Sequence, residues 1–174
     1  RLHRPEWVTV DERTKDVYVT LTNGSSTPPN PLPVNSNRDP NPYGHIVCIR
    51  EAGADNTATT FTWDIYALAG DPAYQPQGAG VPASQPLFGS PDGIWADDDG
   101  RLWIQTDISN SSQNLASRGY NNIKNNQMLA GDPDTGEIRR FLTGPRGCEI
   151  TGVITTPDQR TMFDALSQPN SDCV

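Results

Sequence analysis

The chain has 174 residues, of which 34% are hydrophobic, and its formal net charge is −8. This length allows one domain with a hydrophobic core, and the acidic charge makes nucleic acid a poor partner. No segment reaches the roughly 18 consecutive apolar residues that a membrane-spanning helix needs. The 15 glycines and 16 prolines favour short strands and long connections, and no window shows the apolar period of a helix. We therefore predict an all-β protein that binds neither nucleic acid nor membranes.

Three segments have the same pattern of strand, polar turn and strand. They cover residues 6–19, 92–104 and 149–163. Gly93-Ile94-Trp95 aligns with Gly152-Val153-Ile154, and Leu102-Trp103-Ile104 aligns with Thr161-Met162-Phe163, both at an offset of 59 without a gap. Repeated hairpins at wide spacing indicate a modular β architecture. The four tryptophans are expected to pack between the modules: Trp7, Trp63, Trp95 and Trp103.

The segments between the hairpins complete each unit. Residues 45–50 and 60–68 follow the first hairpin, and residues 127–130 and 137–142 follow the second, all with strand-forming composition. Residues 24–43, 70–90 and 108–124 have the composition of loops. Units of four strands are the blades of a β-propeller. The alternative is a β-sandwich whose hairpins are similar by coincidence.

We predict one partial β-propeller domain over residues 1–174. Blade 1 is expected at about residues 6–70, blade 2 at about 91–145, and a partial blade at 148–166. About two and a half blades cannot close a ring, and Arg1 is not a start methionine. We therefore expect the chain to be a piece of a longer protein whose whole propeller has more blades.

An acidic residue stands at or just before the first strand of each unit: Glu6, Asp92 and Glu149. In a propeller that strand lines the central channel, so the three carboxylates would converge. Converging carboxylates raise one another's pKa values unless a cation neutralises them, and Ca²⁺ takes oxygen ligands. Further oxygen atoms are available in a nearby group of asparagines: Asn121, Asn122, Asn125 and Asn126. The alternative for Asp92, which precedes Gly93, is that it only forms a turn.

The segment Arg146-Gly147-Cys148-Glu149 is a second candidate site. A guanidinium group offers a planar set of donors for phosphate or carboxylate oxygens. Arg146 could therefore hold an anion beside the metal-binding carboxylates, or it could be a surface residue of an ordinary turn. Cys148 could be a soft metal ligand, although a buried apolar role is the simpler interpretation.

Several longer motifs resemble the PhoX-type alkaline phosphatase family. They include Arg4-Pro5-Glu6-Trp7, Pro91-Asp92-Gly93-Ile94-Trp95, the run from Arg101 to Asp107, and the run from Phe141 to Gly152. The resemblance extends in order over about residues 4–163. It departs after Phe163, where the tail 164–174 does not follow the family's pattern.

The resemblance implies a secreted or periplasmic phosphomonoesterase with a six-bladed propeller that holds iron and calcium ions in its channel. By this resemblance, Glu6 and Glu149 are metal ligands and Arg146 is the catalytic cation on the phosphate side. Asp92 is a weaker candidate metal ligand, which rests on its position before the strand and not on the resemblance. The implied substrate is a small phosphate ester, and the full-length protein is expected to be a monomer. The piece alone is expected to lack some metal ligands and to be inactive.

Two other functions remain open from the sequence. One is a non-catalytic propeller in which the acids hold structural Ca²⁺ and the surface binds a ligand or a partner protein. The other is a calcium-dependent, lactonase-like propeller hydrolase, which would share the fold and the channel cation.

Overall fold

The computed structural model describes residues 4–24, 38 and 40–167, which form three antiparallel sheets. The first sheet contains β1 (Pro5–Val10), β2 (Val17–Leu21), β3 (His45–Glu51) and β4 (Phe61–Leu68). The second contains β5 (Pro91–Ala96), β6 (Leu102–Thr106), β7 (Gln127–Gly131) and β8 (Ile138–Thr143). The third contains β9 (Ile150–Thr155) and β10 (Met162–Leu166). The predicted all-β class is confirmed.

In both four-stranded sheets the strands lie side by side in chain order. β3 and β4 are rich in β-branched and aromatic residues, which fit a pleated, half-buried surface. The hairpin order agrees with the four-stranded units that the repeats predicted. Within the described residues, helical structure consists of short 3-10 turns such as Ala116–Arg118, and no helix there is long and apolar enough to cross a bilayer.

The hydrophobic core lies between the sheets. Side chains alternate between the two faces of a strand, so β6 can bury one face against each neighbouring sheet. Leu102 and Ile104 join a large buried cluster that also contains Tyr18 of the first sheet. Trp103 joins a second cluster with Ile150 of the third sheet. The second sheet is therefore packed on both faces.

The first strands of the three sheets are neighbours. β1 packs beside β5, and β5 packs beside β9. The indole carbon Cη2 of Trp7 lies 3.8 Å from the position that a side-chain carbon would occupy at Gly152. This arrangement carries the acidic starts of the strands toward one another.

The alignment of the second and third hairpins without a gap is wrong. Ile94 pairs with Ile104, whereas the matching residue Val153 pairs with Asp164. The turn from 97 to 101 is closed by a bond from the Asp97 N–H to Arg101, and the turn from 156 to 161 by a bond from the Thr156 N–H to Thr161. The second turn thus contains one extra residue, which shifts the following strand by one position.

The expectation that all four tryptophans pack between modules is also only partly correct. Trp103 is buried and Trp95 packs against its cluster. Trp7 is 46% exposed although its indole reaches Gly152 of the third sheet, and Trp63 is 40% exposed. Most of the predicted loop 24–43 and the tail beyond residue 167 lie outside the described residues.

Candidate metal centre and its cavity

Three carboxylates from the second and third sheets meet at one point. Asp92, Asp107 and Glu149 each present an oxygen, and these oxygens all lie within 4.8 Å of one another. Each residue is partly buried. Asp92 lies in β5, Asp107 directly follows β6, and Glu149 directly precedes β9. The β5–β6 hairpin brings Asp92 and Asp107 together, and packing of the third sheet against the second adds Glu149. We call these three residues the carboxylate cluster.

A bulge in the first strand sets the position of Asp92. Pro91 pairs with Thr106 and Ile94 pairs with Ile104, so Asp92 and Gly93 together oppose the single residue Gln105. A side-chain carbon at Gly93 would lie only 2.4 Å from Oε1 of Gln105, which explains the glycine. An extra residue in one strand changes the direction of the neighbouring side chains. The bulge therefore turns the Asp92 carboxylate out of the regular alternation.

The first sheet contains the same bulge at Glu6. Pro5 pairs with Leu21 and Val8 with Val19, so Glu6 and Trp7 oppose Thr20. The Trp7 N–H donates to the Thr20 hydroxyl at 3.0 Å. The same hydroxyl donates to the Asp92 carbonyl oxygen at 2.6 Å. Glu6 and Asp92 are thus equivalent positions, and one hydroxyl group connects their two strands.

Glu149 reaches the cluster by a different route. The position in the third sheet that matches Asp92 is Thr151, because Val153 takes the place of Ile94 in the strand pairing. Glu149 lies two residues earlier, where its N–H donates to the Ser167 hydroxyl at 2.9 Å. The three leading acids are therefore not strict repeats of one position.

Asn126 fixes the backbone on which two of the cluster residues stand. Its Oδ1 accepts from the Ile108 N–H at 2.6 Å and from the Thr106 hydroxyl at 2.9 Å. Its Nδ2 donates to the carbonyls of Ile108 at 3.0 Å and Cys148 at 2.8 Å. These contacts hold both neighbours of Asp107 and the residue before Glu149. Asn126 therefore positions ligands, since its own polar atoms are already used.

The other asparagines predicted as oxygen ligands also make hydrogen bonds within the protein. Asn125 donates to the Gly144 carbonyl and accepts from Asn114. Asn122 donates to Asp71 and accepts from Asn121. Cys148 is buried, and it is outside the carboxylate cluster.

Glu6 lies at the edge of the cluster. Its carboxylate forms an ion pair with Arg4 at 3.1 Å, and the Arg4 Nε also donates to it. The charges of both residues act on Asp92 and Asp107. Against the effect of burial, the charge of the Arg4 guanidinium lowers the pKa of both aspartates. Arg146 is exposed in the turn before Glu149.

The electrostatics of the cluster disfavour three negative charges. Burial, followed by the charges of Glu6 and Asp107, raises the pKa of Asp92 to about 6. The pKa of Asp107 is raised by burial, a shift that the charge of Arg4 offsets in part and the charge of Glu6 reinforces. The pKa of Glu149 is raised by burial and by the charges of Asp107 and Asp92. A bound cation would remove this mutual repulsion.

The donor set fits a hard metal ion. Ca²⁺ prefers carboxylate and carbonyl oxygens together with water. Gln105, which faces the Asp92 bulge, is 1% exposed, and neither polar atom of its side chain has a partner among the described residues. Buried amides are nearly always satisfied by protein or by ordered water. An oxygen-rich cluster with an unsatisfied amide beside it matches a hydrated metal centre.

A cavity of about 220 Å³ adjoins the cluster. Asp107 and Arg4 both line it, so it reaches the cluster and the Arg4–Glu6 pair. Its remaining walls are mostly polar: Asn23, Ser90, Ser109, Ser112, Arg118 and Tyr120, with Pro42 and Ile108. A small polar ligand could thus enter beside the carboxylates.

Sequence reasoning found Asp92 and Glu149 but missed Asp107 and Arg4. Asp107 ends the motif from Arg101 to Asp107, directly after a strand that is buried along its whole length. In an antiparallel hairpin the end of the second strand lies beside the start of the first. That rule would have placed Asp107 next to Asp92. Arg4 stands two residues before Glu6 within the same motif.

Comparisons with known proteins agree with this geometry. The family model for alkaline phosphatase PhoX matches residues 1–170. A solved structure, described as Pseudomonas fluorescens PhoX in complex with vanadate, a transition state analogue, is 40% identical with a TM-score of 0.87. The match covers 97% of this chain but 30% of the Pseudomonas chain, so the sequence spans under a third of that relative. No curated protein matches. Because the family model matches nearly the whole sequence, the chain belongs to the PhoX alkaline phosphatase family.

Proposed function

We propose that this chain is part of a metal-dependent alkaline phosphatase that hydrolyses phosphate monoesters. The observation that supports this most strongly is the convergence of Asp92, Asp107 and Glu149 within 4.8 Å beside a cavity that Arg4 also lines. The 40% identity to a structure that holds vanadate supports the same chemistry. Since the chain spans 30% of that relative, the activity is proposed for the whole protein.

The carboxylate cluster would hold calcium or iron, with Glu6 as a further ligand at its edge. When bound, such ions polarise phosphoryl oxygens and can lower the pKa of a water molecule that attacks phosphorus. The three carboxylates contribute the negative charge that retains the ions. Asn126 and the bulge at Asp92 keep these oxygens in place before substrate arrives, which limits the reorganisation needed on binding.

Arg4 is the cation best placed to meet the phosphoryl group. Its guanidinium lines the cavity and is oriented by the Glu6 carboxylate at 3.1 Å. A planar set of N–H donors suits the oxygens of a phosphate ester. Arg146 remains a proposed second cation, because it stands three residues before Glu149.

The proposal includes the family's architecture and location. We propose a six-bladed propeller in the periplasm or outside the cell, acting as a monomer on small phosphate esters. Two four-stranded sheets and a third hairpin, with their first strands adjacent, support part of such a ring. The chain alone would lack the ligands that the other blades supply, so we expect it to be inactive in isolation.

Hydrolysis of p-nitrophenyl phosphate at alkaline pH tests the proposal. The protein as its gene encodes it, supplied with Ca²⁺ and iron, should release p-nitrophenol. Glu149→Gln should lower turnover by about a hundredfold or more, because it removes a ligand charge. Glu137→Gln is the matched control, since Glu137 forms an exposed ion pair with Arg139 and is not one of the three cluster carboxylates.

The results separate the proposed enzyme from a structural calcium site. Loss of turnover by Glu149→Gln with an unchanged thermal midpoint supports catalysis. A loss of thermal stability with full turnover would assign the carboxylate to structure alone. A metal-loaded wild-type protein that hydrolyses lactones but no phosphate ester would overturn the proposal.

A further inference from the structure

The cavity beside the carboxylate cluster contains a second arginine that the proposed phosphoryl site does not use. Arg118 lines the cavity together with Arg4 and Asp107. Arg4 is already paired with Glu6, and Asp107 belongs to the cluster. Within residues 4–24, 38 and 40–167, the Arg118 guanidinium has neither an ion pair nor a hydrogen bond. One wall of the cavity therefore presents a cation with its donors available.

The backbone that carries Arg118 is firmly anchored. Arg118 ends the 3-10 turn Ala116–Arg118, which Gly119 caps at a φ of 78°. The buried Tyr43 hydroxyl donates to the Gly119 carbonyl at 3.3 Å, and the Tyr74 hydroxyl donates to the Ala116 carbonyl. These two hydrogen bonds, together with the one from the capping Gly119 N–H to the Ala116 carbonyl, fix the base of an exposed side chain. Such a base lowers the entropy lost when the guanidinium binds a ligand.

The size and chemistry of the cavity limit what can bind there. Its volume of about 220 Å³ is below the roughly 300–1,000 Å³ of pockets that enclose drug-sized ligands. Ser109 and Ser112 line it, and their hydroxyl groups hydrogen-bond to each other. Ile108 and Pro42 are its apolar residues. A short, hydrophilic molecule therefore fits better than an extended aromatic one.

We propose that Arg118 forms a subsite for an anionic group on the alcohol portion of the substrate. With the phosphoryl group at the cluster and Arg4, the rest of a small ester occupies the cavity where Arg118 is available. A carboxylate or second phosphate there would form a charge-assisted, two-point contact with the guanidinium. The favoured substrates are thus short phosphate esters that carry a second negative charge. This inference rests on the proposed phosphatase function.

Two esters with the same three-carbon skeleton test the subsite. 3-Phosphoglycerate carries a carboxylate where glycerol 3-phosphate carries a neutral hydroxymethyl group. We expect kcat/KM of the metal-loaded protein, in the form that its gene encodes, to favour 3-phosphoglycerate by about fivefold or more. Arg118→Gln should lower that ratio to near one. Arg118→Lys, which keeps the charge without the planar donors, should retain part of it.

Arg160→Gln serves as the matched control. Arg160 is also exposed, but it lies in the turn between β9 and β10 and does not line the cavity. Its substitution should leave the ratio unchanged. If Arg118→Gln leaves the ratio of the two kcat/KM values intact, including by lowering both values equally, the subsite is overturned while the phosphatase function stands. Failure of the wild-type protein on both esters and on p-nitrophenyl phosphate would instead overturn the proposed function itself.

Discussion

Replacing Asn126 by alanine tests how the fold holds two of the three cluster carboxylates. Asn126 is fully buried and makes four hydrogen bonds, to Thr106, to the N–H and carbonyl of Ile108, and to the Cys148 carbonyl. Each buried hydrogen bond contributes about 1 kcal/mol net. The four together therefore stabilise the fold by about 4 kcal/mol, a large part of a typical domain's stability.

The groups left behind do not lose equally. Gln113 also donates to the Ile108 carbonyl at 3.0 Å and to the Cys148 carbonyl at 3.4 Å. Those two carbonyls would keep one partner each, whereas the Ile108 N–H would have none. An unsatisfied buried donor costs about 1–3 kcal/mol. We expect this donor to pull the segment around Asp107 out of place.

Urea unfolding followed by tryptophan fluorescence, with Ca²⁺ titration calorimetry beside it, measures both effects. We expect Asn126→Ala to lower the free energy of unfolding by about 4 kcal/mol and to weaken Ca²⁺ binding by about 10–100-fold. Asn126→Asp keeps the bonds that it accepts from Thr106 and the Ile108 N–H and loses the two that it donates to the Ile108 and Cys148 carbonyls. It should therefore displace the segment around Asp107 less than Asn126→Ala does. Asn125→Ala, which removes a partly buried neighbour, should leave Ca²⁺ affinity unchanged. The reasoning is refuted if Asn126→Ala unfolds within about 0.5 kcal/mol of wild type, or loses stability with Ca²⁺ affinity intact.

Three more substitutions separate charge, turn and backbone effects. In the metal-free protein, a pKa of about 6 at Asp92 means that the folded state binds the Asp92 proton more tightly than the unfolded state does. Stability should therefore fall by about 1–2 kcal/mol as pH rises from about 4 to about 7, and Asp92→Asn should flatten this slope in urea titrations. Asp97 accepts from the N–H groups of Asp99 and Arg101 and from the Trp103 indole, so Asp97→Ala should cost about 2–4 kcal/mol in the same assay with Ca²⁺ affinity unchanged. Gly119→Ala should lower the thermal midpoint by several degrees, because a side-chain carbon would lie 2.0 Å from the Tyr43 hydroxyl oxygen at a φ of +78°.

Each of these predictions can fail in its own way. A metal-free protein that becomes more stable between about pH 4 and pH 7, after subtraction of the Asp92→Asn curve, contradicts the raised pKa. Saturating Ca²⁺ should reverse the sign of that slope, since the ion favours the ionised carboxylate. Impaired Ca²⁺ binding by Asp97→Ala would show that the turn and the cluster are coupled. An unchanged midpoint for Gly119→Ala would mean that the Tyr43 contact does not constrain the turn.

The sequence predicted the all-β fold because the strands carry their own local signals. The alternation of apolar and polar residues in strands such as β2, and the turn residues between strands, can be recognised from residues close together in the sequence. The one-residue shift of β10 was not predicted, because the extra residue lies in a turn and several turn lengths are compatible with the same flanking strands. The exposure of Trp7 and Trp63 was not predicted, because it depends on what packs against the outer side of the first sheet.

The candidate site was predicted in part for a similar reason. Asp92 and Glu149 stand at strand starts, where the expected architecture directs side chains toward one axis. Asp107 stands at the end of a second strand, and its proximity to Asp92 depends on the pairing of Pro91 with Thr106. The role of Asn126 depends on contacts to residues about 20 positions away in both directions. The hairpin rule alone could have placed Asp107, whereas the contacts of Asn126 have no local signal in composition or spacing.

A crystal structure of the protein in millimolar Ca²⁺ tests the central claim most directly. We predict anomalous density for a cation bonded to oxygens of Asp92, Asp107 and Glu149 at about 2.3–2.6 Å. A well-ordered cluster with only water between the three carboxylates, in a protein that still hydrolyses phosphate esters, would contradict the claim.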